Sequence, residues 1–331
     1  MQKVTLGIDI GGTNTKFGIV SKDGKILASD SISTIDYQGK SVETFLSDLY
    51  KAFEALLNRL PPLKYKIIGI GIGAPNANYY SGCIEFAPNL PWHNKIELVK
   101  LFKEHYPDLP IALTNDANAA AIGEMIYGAA QGYKDFIVIT LGTGVGSGIV
   151  ANGELIYGHD GFAGEMGHNI TIPNGRLCTC GRKGCLEAYA SARGIKQTAV
   201  ELLAATNEHS ELRQHLGPKF STVHIHQAAL MGDKIALDVF EQTGKVLAME
   251  MSNAVGYLSP AAFFLFGGIT KVGELLFEPI RRYFESFLLN IFQNKIKVYP
   301  SAFDGSDAAI LGASALIIKE LKKKKKAPPL F

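Results

Sequence analysis

The chain has little cysteine and less tryptophan, four and one among 331 residues. So few cysteines exclude a small secreted scaffold stapled by disulfides. A long apolar run is also missing, and no stretch reaches the ~20 residues that a membrane-spanning helix needs. Charge of one sign is absent as well: 33 Lys and Arg against 31 Asp and Glu leave a formal charge of +2. Lys322 to Lys326 supply five of those positives, so the body is slightly acidic, which argues against a nucleic-acid surface. The lysine run reads as a solvated helix end stopped at Pro328 and Pro329; docking on lipid or RNA is the alternative. No apolar stretch of signal-peptide type precedes the strand pattern Val4 to Ile10, so the expected compartment is the cytoplasm and no membrane partner is expected. What is present is a hydrophobic share of 47% in a length that exceeds one ordinary core, which predicts two domains.

Most of the cysteine sits in one place. Cys178, Cys180 and Cys185 lie within eight positions, and His168 stands ten residues before the first of them. That is the ligand set and loop-like spacing of a closed tetrahedral Cys₃His zinc site. A disulfide or free structural thiols are the alternatives, and a reducing compartment favours metal over disulfide. Glu165 and Glu187 bracket the cluster, so a metal here pins a loop that carries acidic groups into a pocket. Cys83 stands alone in a turn-rich segment and reads as a small buried apolar residue.

Strand and helix patterns alternate as in an α/β protein. Residues 3 to 10, 15 to 21 and 25 to 32 read as an antiparallel meander. Ser41 is the expected N-cap of a helix whose apolar positions Val42, Phe45, Leu49, Phe53 and Leu56 recur at three- and four-residue steps to Asn58. A strand follows at 67 to 72, a loop to about Trp92, a short helix near 95 to 105, a strand at 111 to 114 and a small-residue helix at 117 to 125. Strands return at 136 to 141 and 147 to 151, before the zinc loop at 165 to 187. The remainder reads as helices near 187 to 204, 233 to 257 and 272 to 292, strands at 262 to 266 and 296 to 299, and a last helix from Asp307 to about Lys322. His224 and His226, two apart, look like one face of a strand or turn.

One internal echo stands out. Ile8-Asp9-Ile10-Gly11-Gly12-Thr13-Asn14-Thr15-Lys16 and Ile139-Thr140-Leu141-Gly142-Thr143-Gly144-Val145-Gly146 both read strand, glycine hairpin, strand, as if one element were used once in each half. Such hairpins present backbone N–H groups to phosphate, because glycine allows close approach and the nest geometry binds anions. A strand follows each turn, where a Walker loop or a dinucleotide fingerprint needs a helix. Most single glycine turns are ordinary hairpins; the pairing is what points to a nucleotide.

These two hairpins, Glu165-x-x-His168, the Cys178-x-Cys180-Gly181-x-x-Gly184-Cys185-x-Glu187 run and Phe266-Gly267-Gly268 together resemble the ROK family of repressors, uncharacterised reading frames and sugar kinases, within the actin-like ATPase and sugar kinase superfamily. The resemblance covers essentially the whole chain. It implies two ribonuclease-H-like domains with a cleft between them, a small one at 1 to 116 plus the C-terminal helix of about 307 to 331, and a large one at 117 to 306 carrying the zinc loop. It implies an ATP-dependent hexose kinase, with homodimers or homotetramers usual and polyphosphate an alternative donor. The family's repressors carry an N-terminal helix-turn-helix extension, which this chain lacks, so no nucleic-acid partner is expected.

The resemblance also suggests roles. Asp116 matches the catalytic base, although an Asn115-Asp116 pair before a helix is equally an N-cap. Asp9 matches a residue that orients Mg²⁺ through water. Gly11, Gly12, Thr13 and Lys16, with Gly142, Thr143 and Gly144, match the phosphate holders, and Gly267 and Gly268 the adenosine-side turn. Asn89, Asn115, Glu165, His168 and Glu187 match the sugar-facing positions. His168 would ligate structural Zn²⁺ through one ring nitrogen and aim the other at the sugar; a purely structural histidine is the alternative. Pro75-Asn76 departs from the usual Pro-Gly, and a side chain there would narrow the sugar pocket or add a hydrogen bond. Glucose is the expected acceptor, with N-acetylglucosamine, N-acetylmannosamine, mannose and fructose open. A sugar-sensing regulator without turnover and an actin-like structural ATPase are the competing classes.

Overall fold

The structure, a computed structural model, describes residues 1–303 and 307–326; of Lys324 to Lys326 only the backbone is described, and the Pro328-Pro329 stop lies outside the described residues. In chain order the elements are β1 (Gln2–Ile10), β2 (Asn14–Ser21), β3 (Ile26–Ser33), α1 (Val42–Asn58), β4 (Tyr65–Gly73), β5 (Ala77–Asn78), β6 (Cys83–Glu85), β7 (Lys95–Ile96), α2 (Leu98–His105), β8 (Ile111–Thr114) and α3 (Asp116–Tyr127). There follow β9 (Phe136–Leu141), β10 (Val145–Ala151), β11 (Glu154–Leu155), α4 (Glu187–Ala190), α5 (Ala192–Ala205), α6 (Thr222–Leu230), α7 (Lys234–Leu258), β12 (Ala262–Phe266), α8 (Glu274–Phe287), β13 (Lys297–Pro300) and α9 (Asp307–Lys326).

The chain divides into two compact units. The first comprises Met1–Gly132, Leu155–Gly164 and Ala302–Phe331, and the second Tyr133–Glu154 and Glu165–Ser301. Each is built on a five-stranded sheet, ordered β3-β2-β1-β4-β8 in the first and β11-β10-β9-β12-β13 in the second. Both orders describe one topology: β1 with β2 and β9 with β10 pair antiparallel, and β1 with β4 and β9 with β12 pair parallel. The hairpin echo in the sequence is therefore an echo of whole sheets.

In the first unit α1 begins where the Ser41 side chain accepts from the Thr44 N–H, a cap worth about 1 kcal/mol. It buries Phe45, Leu49, Phe53 and Leu56. Phe53 meets Phe17 of β2 edge-on at 4.7 Å, and truncating such a fully buried ring to alanine costs about 3–5 kcal/mol. The second core gathers Ile137, Ile139, Phe263 and Leu265 from the sheet against Val239, Leu247, Met251, Leu276 and Ile280 of α7 and α8.

The boundary differs from the expected one at 116. Helix α3 belongs to the first unit, because its small residues let it lie tight on α9: a Cβ on Gly123 would come within 3.0 Å of the Gly312 Cα, and one on Gly312 within 2.6 Å of the Ala119 carbonyl oxygen. Three further differences are local. The loop to Trp92 contains a three-stranded sheet, β5-β6-β7, whose two- and three-residue strands are too short to show alternation. The helix expected at 187 to 204 breaks at Ser191, whose extended backbone and side chain cap α5 at Gly194. His224 lies on a helix, α6, not on a strand or turn: its imidazole and Ser221 form a reciprocal cap.

Candidate functional site

In the first unit the candidate residues gather at the C-terminal ends of β1, β4 and β8. Asp9 lies in register with Lys16 on one side and Gly73 on the other. A Cβ on Gly73 would meet both Asp9 Oδ1 and the Asp116 Cα at 3.8 Å, so this glycine marks where the two acids converge. Burial first, and then the Asp116 charge, push the Asp9 carboxyl up to about 7, with Lys16 pulling the other way. Asp116 is also raised, by desolvation, against the pull of N–H groups at the start of α3. The residue is nonetheless exposed to water.

Asn115 is the N-cap of α3: its Oδ1 accepts from the Ala117 N–H at 2.9 Å, and Asp116 Oδ1 accepts from the same N–H at 2.8 Å. The capping reading is thus fulfilled by Asn115, which holds Asp116 in the first helical turn. The Gly11-Gly12 turn is anchored by the Thr13 carbonyl, which accepts from the N–H groups of Thr34 and Ile35, and by a buried Thr15–Thr34 hydroxyl pair at 2.8 Å. Asn89 lies beside it, since a Cβ on Gly12 would collide with the Asn89 carbonyl. Asn76 takes a different part. It occupies the left-handed region at φ 50° in a turn closed by the Ala77 N–H on the Ala74 carbonyl, with Pro75 at the second position and Asn76 at the third. That is a type II turn, in which asparagine is the usual substitute for glycine. Its side chain donates to the Glu85 and Phe86 carbonyls, which occupies it in holding β6.

In the second unit the Cys₃His cluster is assembled. Ligand atoms of His168, Cys178, Cys180 and Cys185 all lie within 4.8 Å of one another. Cys180 and Cys185 are 3.6 Å apart at sulfur, and Cys178 Sγ is 3.7 Å from His168 Nδ1. Zn–S bonds of about 2.3 Å give tetrahedral edges of about 3.8 Å, so the donors are spaced for the ion and too far apart for a disulfide. Cys180 suits a thiolate ligand: burial pushes its thiol up, but hydrogen bonds from the Arg182 backbone and side chain and the neighbouring thiols bring it down to about 6. With Nδ1 facing the cluster, the other ring nitrogen of His168 is directed away from it. Arg182 also donates to the His168 carbonyl at 2.8 Å.

Glu187 joins this cluster to the second glycine hairpin. Its Oε2 accepts from the Val145 N–H at 3.1 Å and its Oε1 from the Thr179 hydroxyl at 2.8 Å. Thr179 is not among the positions marked by the family resemblance, although a hydroxyl between two clustered cysteines is a recognisable signal. The hairpin closes through the Gly142 N–H on the Gly144 carbonyl. Thr143 at its tip is exposed, and the Gly142 and Gly268 Cα atoms face open space. Gly267 is held at φ 119° against the Leu141 carbonyl, a conformation and approach that only glycine tolerates. Glu165 is exposed at the start of the short helical turn that presents His168.

The ROK family sequence profile matches residues 5–320. A glucokinase of Halalkalibacterium halodurans is 36% identical over 318 residues, covering 94% of each chain. The xylose repressor of Bacillus subtilis is 28% identical, over 95% of this chain and 77% of the repressor. Among solved structures, a ROK family glucokinase from Streptomyces griseus in complex with glucose and AMPPNP superposes with a TM-score of 0.77 at 33% identity, over 95% of this chain and 98% of that one.

Proposed function

The chain belongs to the ROK family, and from that premise we propose that it phosphorylates a hexose at its 6-hydroxyl with ATP as donor, glucose being the preferred acceptor. It is an ATP-dependent sugar kinase with the actin-like type of α/β fold. The observation that carries the mechanism is the convergence of Asp9 and Asp116 at Gly73, beside a glycine hairpin. Asp116 accepts the proton of the sugar hydroxyl as its oxygen forms a bond to the γ-phosphorus and the bond to the ADP oxygen breaks. Asp9, pushed up by burial and by its acidic neighbour, has the surroundings of a group that ionises fully beside a cation. It would hold Mg²⁺, which supplies charge neutralisation at the phosphates.

Gly11, Gly12, Thr13 and Lys16 in one unit and Gly142, Thr143 and Gly144 in the other take the phosphates, and Gly267 and Gly268 the adenosine side. The open Cα faces of Gly142 and Gly268 leave the room a nucleotide needs. Sugar hydroxyls fall to Asn89, Asn115, Glu165, His168 and Glu187, with Zn²⁺ on His168, Cys178, Cys180 and Cys185 fixing which ring nitrogen of His168 points outward. No helix among the described residues is long and apolar enough to cross a membrane, and none of the four cysteines is in a disulfide; the cytoplasm is the proposed compartment.

The likeness to a xylose repressor supports a second reading, in which the same pocket senses a sugar without turnover. A coupled assay across hexoses and N-acetylhexosamines, with ATP and with polyphosphate, separates the two. Glucose-dependent ADP release at the highest kcat/KM is expected; sugar binding with no ADP release from any sugar would establish the sensor. Chelating the zinc is expected to raise the sugar KM before the protein unfolds, and unchanged kinetics in a zinc-free, folded sample would leave the cluster a structural role alone.

A further inference from the structure

The core of the second unit contains one carboxylate that the phosphoryl-transfer chemistry does not use. Glu250, on α7, is 3% exposed and lies between Met249 and Met251. A buried acid is expensive unless donors surround it, and here they come from the zinc loop. Oε1 accepts from Asn169 Nδ2 at 2.7 Å, and Oε2 from the Thr171 hydroxyl at 3.2 Å, with Asn253 Nδ2 adding a longer contact at 3.4 Å. Asn169 directly follows His168. The same short stretch is laced to the other side of the loop: the Asn169 carbonyl accepts from the Leu186 N–H at 3.0 Å, the Thr171 N–H donates to the Gly184 carbonyl at 2.9 Å, and Ile170 bridges to Cys185. Glu250 thus grips, from a 25-residue helix, a stretch of backbone that runs from His168 and is bonded to the residue before Glu187.

We propose that Glu250 is a positioning residue for sugar recognition: through Asn169 and Thr171 it fixes the His168 imidazole relative to the Glu187 carboxylate without itself touching the sugar. The inference rests on the reading of His168 and Glu187 as sugar contacts. A carboxylate can accept from all three donors at once, whereas an amide presents its own N–H groups to at least one of them. Glu250→Gln therefore keeps the volume and breaks the grip.

In zinc-loaded full-length protein, Glu250→Gln is expected to raise the sugar KM roughly tenfold while the ATP KM moves less than about twofold, and to release zinc to a chelating dye roughly tenfold faster, as outer-shell partners of metal ligands do. Glu250→Asp, which keeps the charge on a shorter stem, is expected to recover part of the sugar KM. Equal changes in the sugar and ATP KM values, or an unchanged sugar KM in a folded variant, would overturn the assignment. Should the wild-type protein phosphorylate no sugar, the kinase reading fails on its own; the zinc-release rate then decides whether Glu250 holds the loop, and an unchanged rate would refute it.

Discussion

The two units share one sheet order and one hairpin position, and they differ in what stands at the end of the first strand. In the first unit that residue is Asp9; in the second, by the alignment of the hairpins, it is Thr140. The Thr140 hydroxyl accepts from the Gly146 N–H at 3.1 Å and so serves its own hairpin. Asp9 has the Asp116 charge for company and is pushed up to about 7. One copy of the fold therefore keeps two neighbouring acids, and the other uses the equivalent place for local stability. The second unit's carboxylate comes from elsewhere, as Glu187 reaching back from the zinc loop to Val145. A repeated topology fixes where a ligand-facing turn lies, while the side chains placed around it decide which chemistry each copy performs.

The sharpest way to break this contrast is at Asp116. Asp116→Asn should lower kcat by about 10²- to 10⁴-fold, the usual worth of a general base, with the fold intact by circular dichroism. An activity within tenfold of wild type would remove Asp116 from its role and return it to the first turn of α3.

The two hairpins can be set against each other next. A Cβ on Gly12 would strike the Asn89 backbone carbonyl, which cannot swing away, whereas one on Gly144 would lie 2.6 Å from Glu187 Oε2, the end of a flexible side chain. Gly12→Ala should therefore cost about 1–3 kcal/mol and act mainly on the ATP KM. Gly144→Ala should fold nearly as well and raise the sugar KM, through Glu187, along with the ATP KM. An ATP KM moved by Gly12→Ala alone would remove the second hairpin from the phosphates.

The smallest effect expected is one of pH. A carboxyl whose folded pKa lies above its unfolded value near 3.8 binds its proton more tightly when folded, so its ionisation lowers stability as pH rises from about 4 to 7. Asp9→Asn should leave stability unchanged below about pH 4 and raise it above pH 7 by about 1–2 kcal/mol, discounted for the partial exposure of Asp9. Wild-type activity should climb through pH 7 and lose that step in the variant. A Tm difference independent of pH would sever Asp9 from the acid pair.

Much of the fold was legible because it rests on periodicity. The short apolar runs of β1, β9 and β12, buried on both faces, and the three- and four-residue spacing of α1, which buries one face, mark single elements. Glycine was legible too, since its positions follow from backbone geometry within a few residues. The differences have separate causes. Helix α3 falls in the first unit because its small residues match the surface of α9, almost 200 residues later. Two-residue strands such as β5 carry no period. His224 and His226 share a spacing that suits a strand face, and the Ser221 cap decided for helix.

By itself the sequence determined most of the elements, the two glycine hairpins and the grouping of His168 with Cys178, Cys180 and Cys185, all of which depend on residues close together in the chain. Only the tertiary structure decided that Asp9 and Asp116 meet at Gly73, that Glu187 is bonded to Val145 and Thr179, that Asn76 holds a turn, and that Glu250 grips the zinc loop. The meeting of Asp9 with Asp116 and the bonds of Glu187 to Val145 and of Glu250 to Asn169 join segments distant in the chain. Their energy comes from desolvation and hydrogen bonding that exist only once the segments are packed, so no local pattern records them.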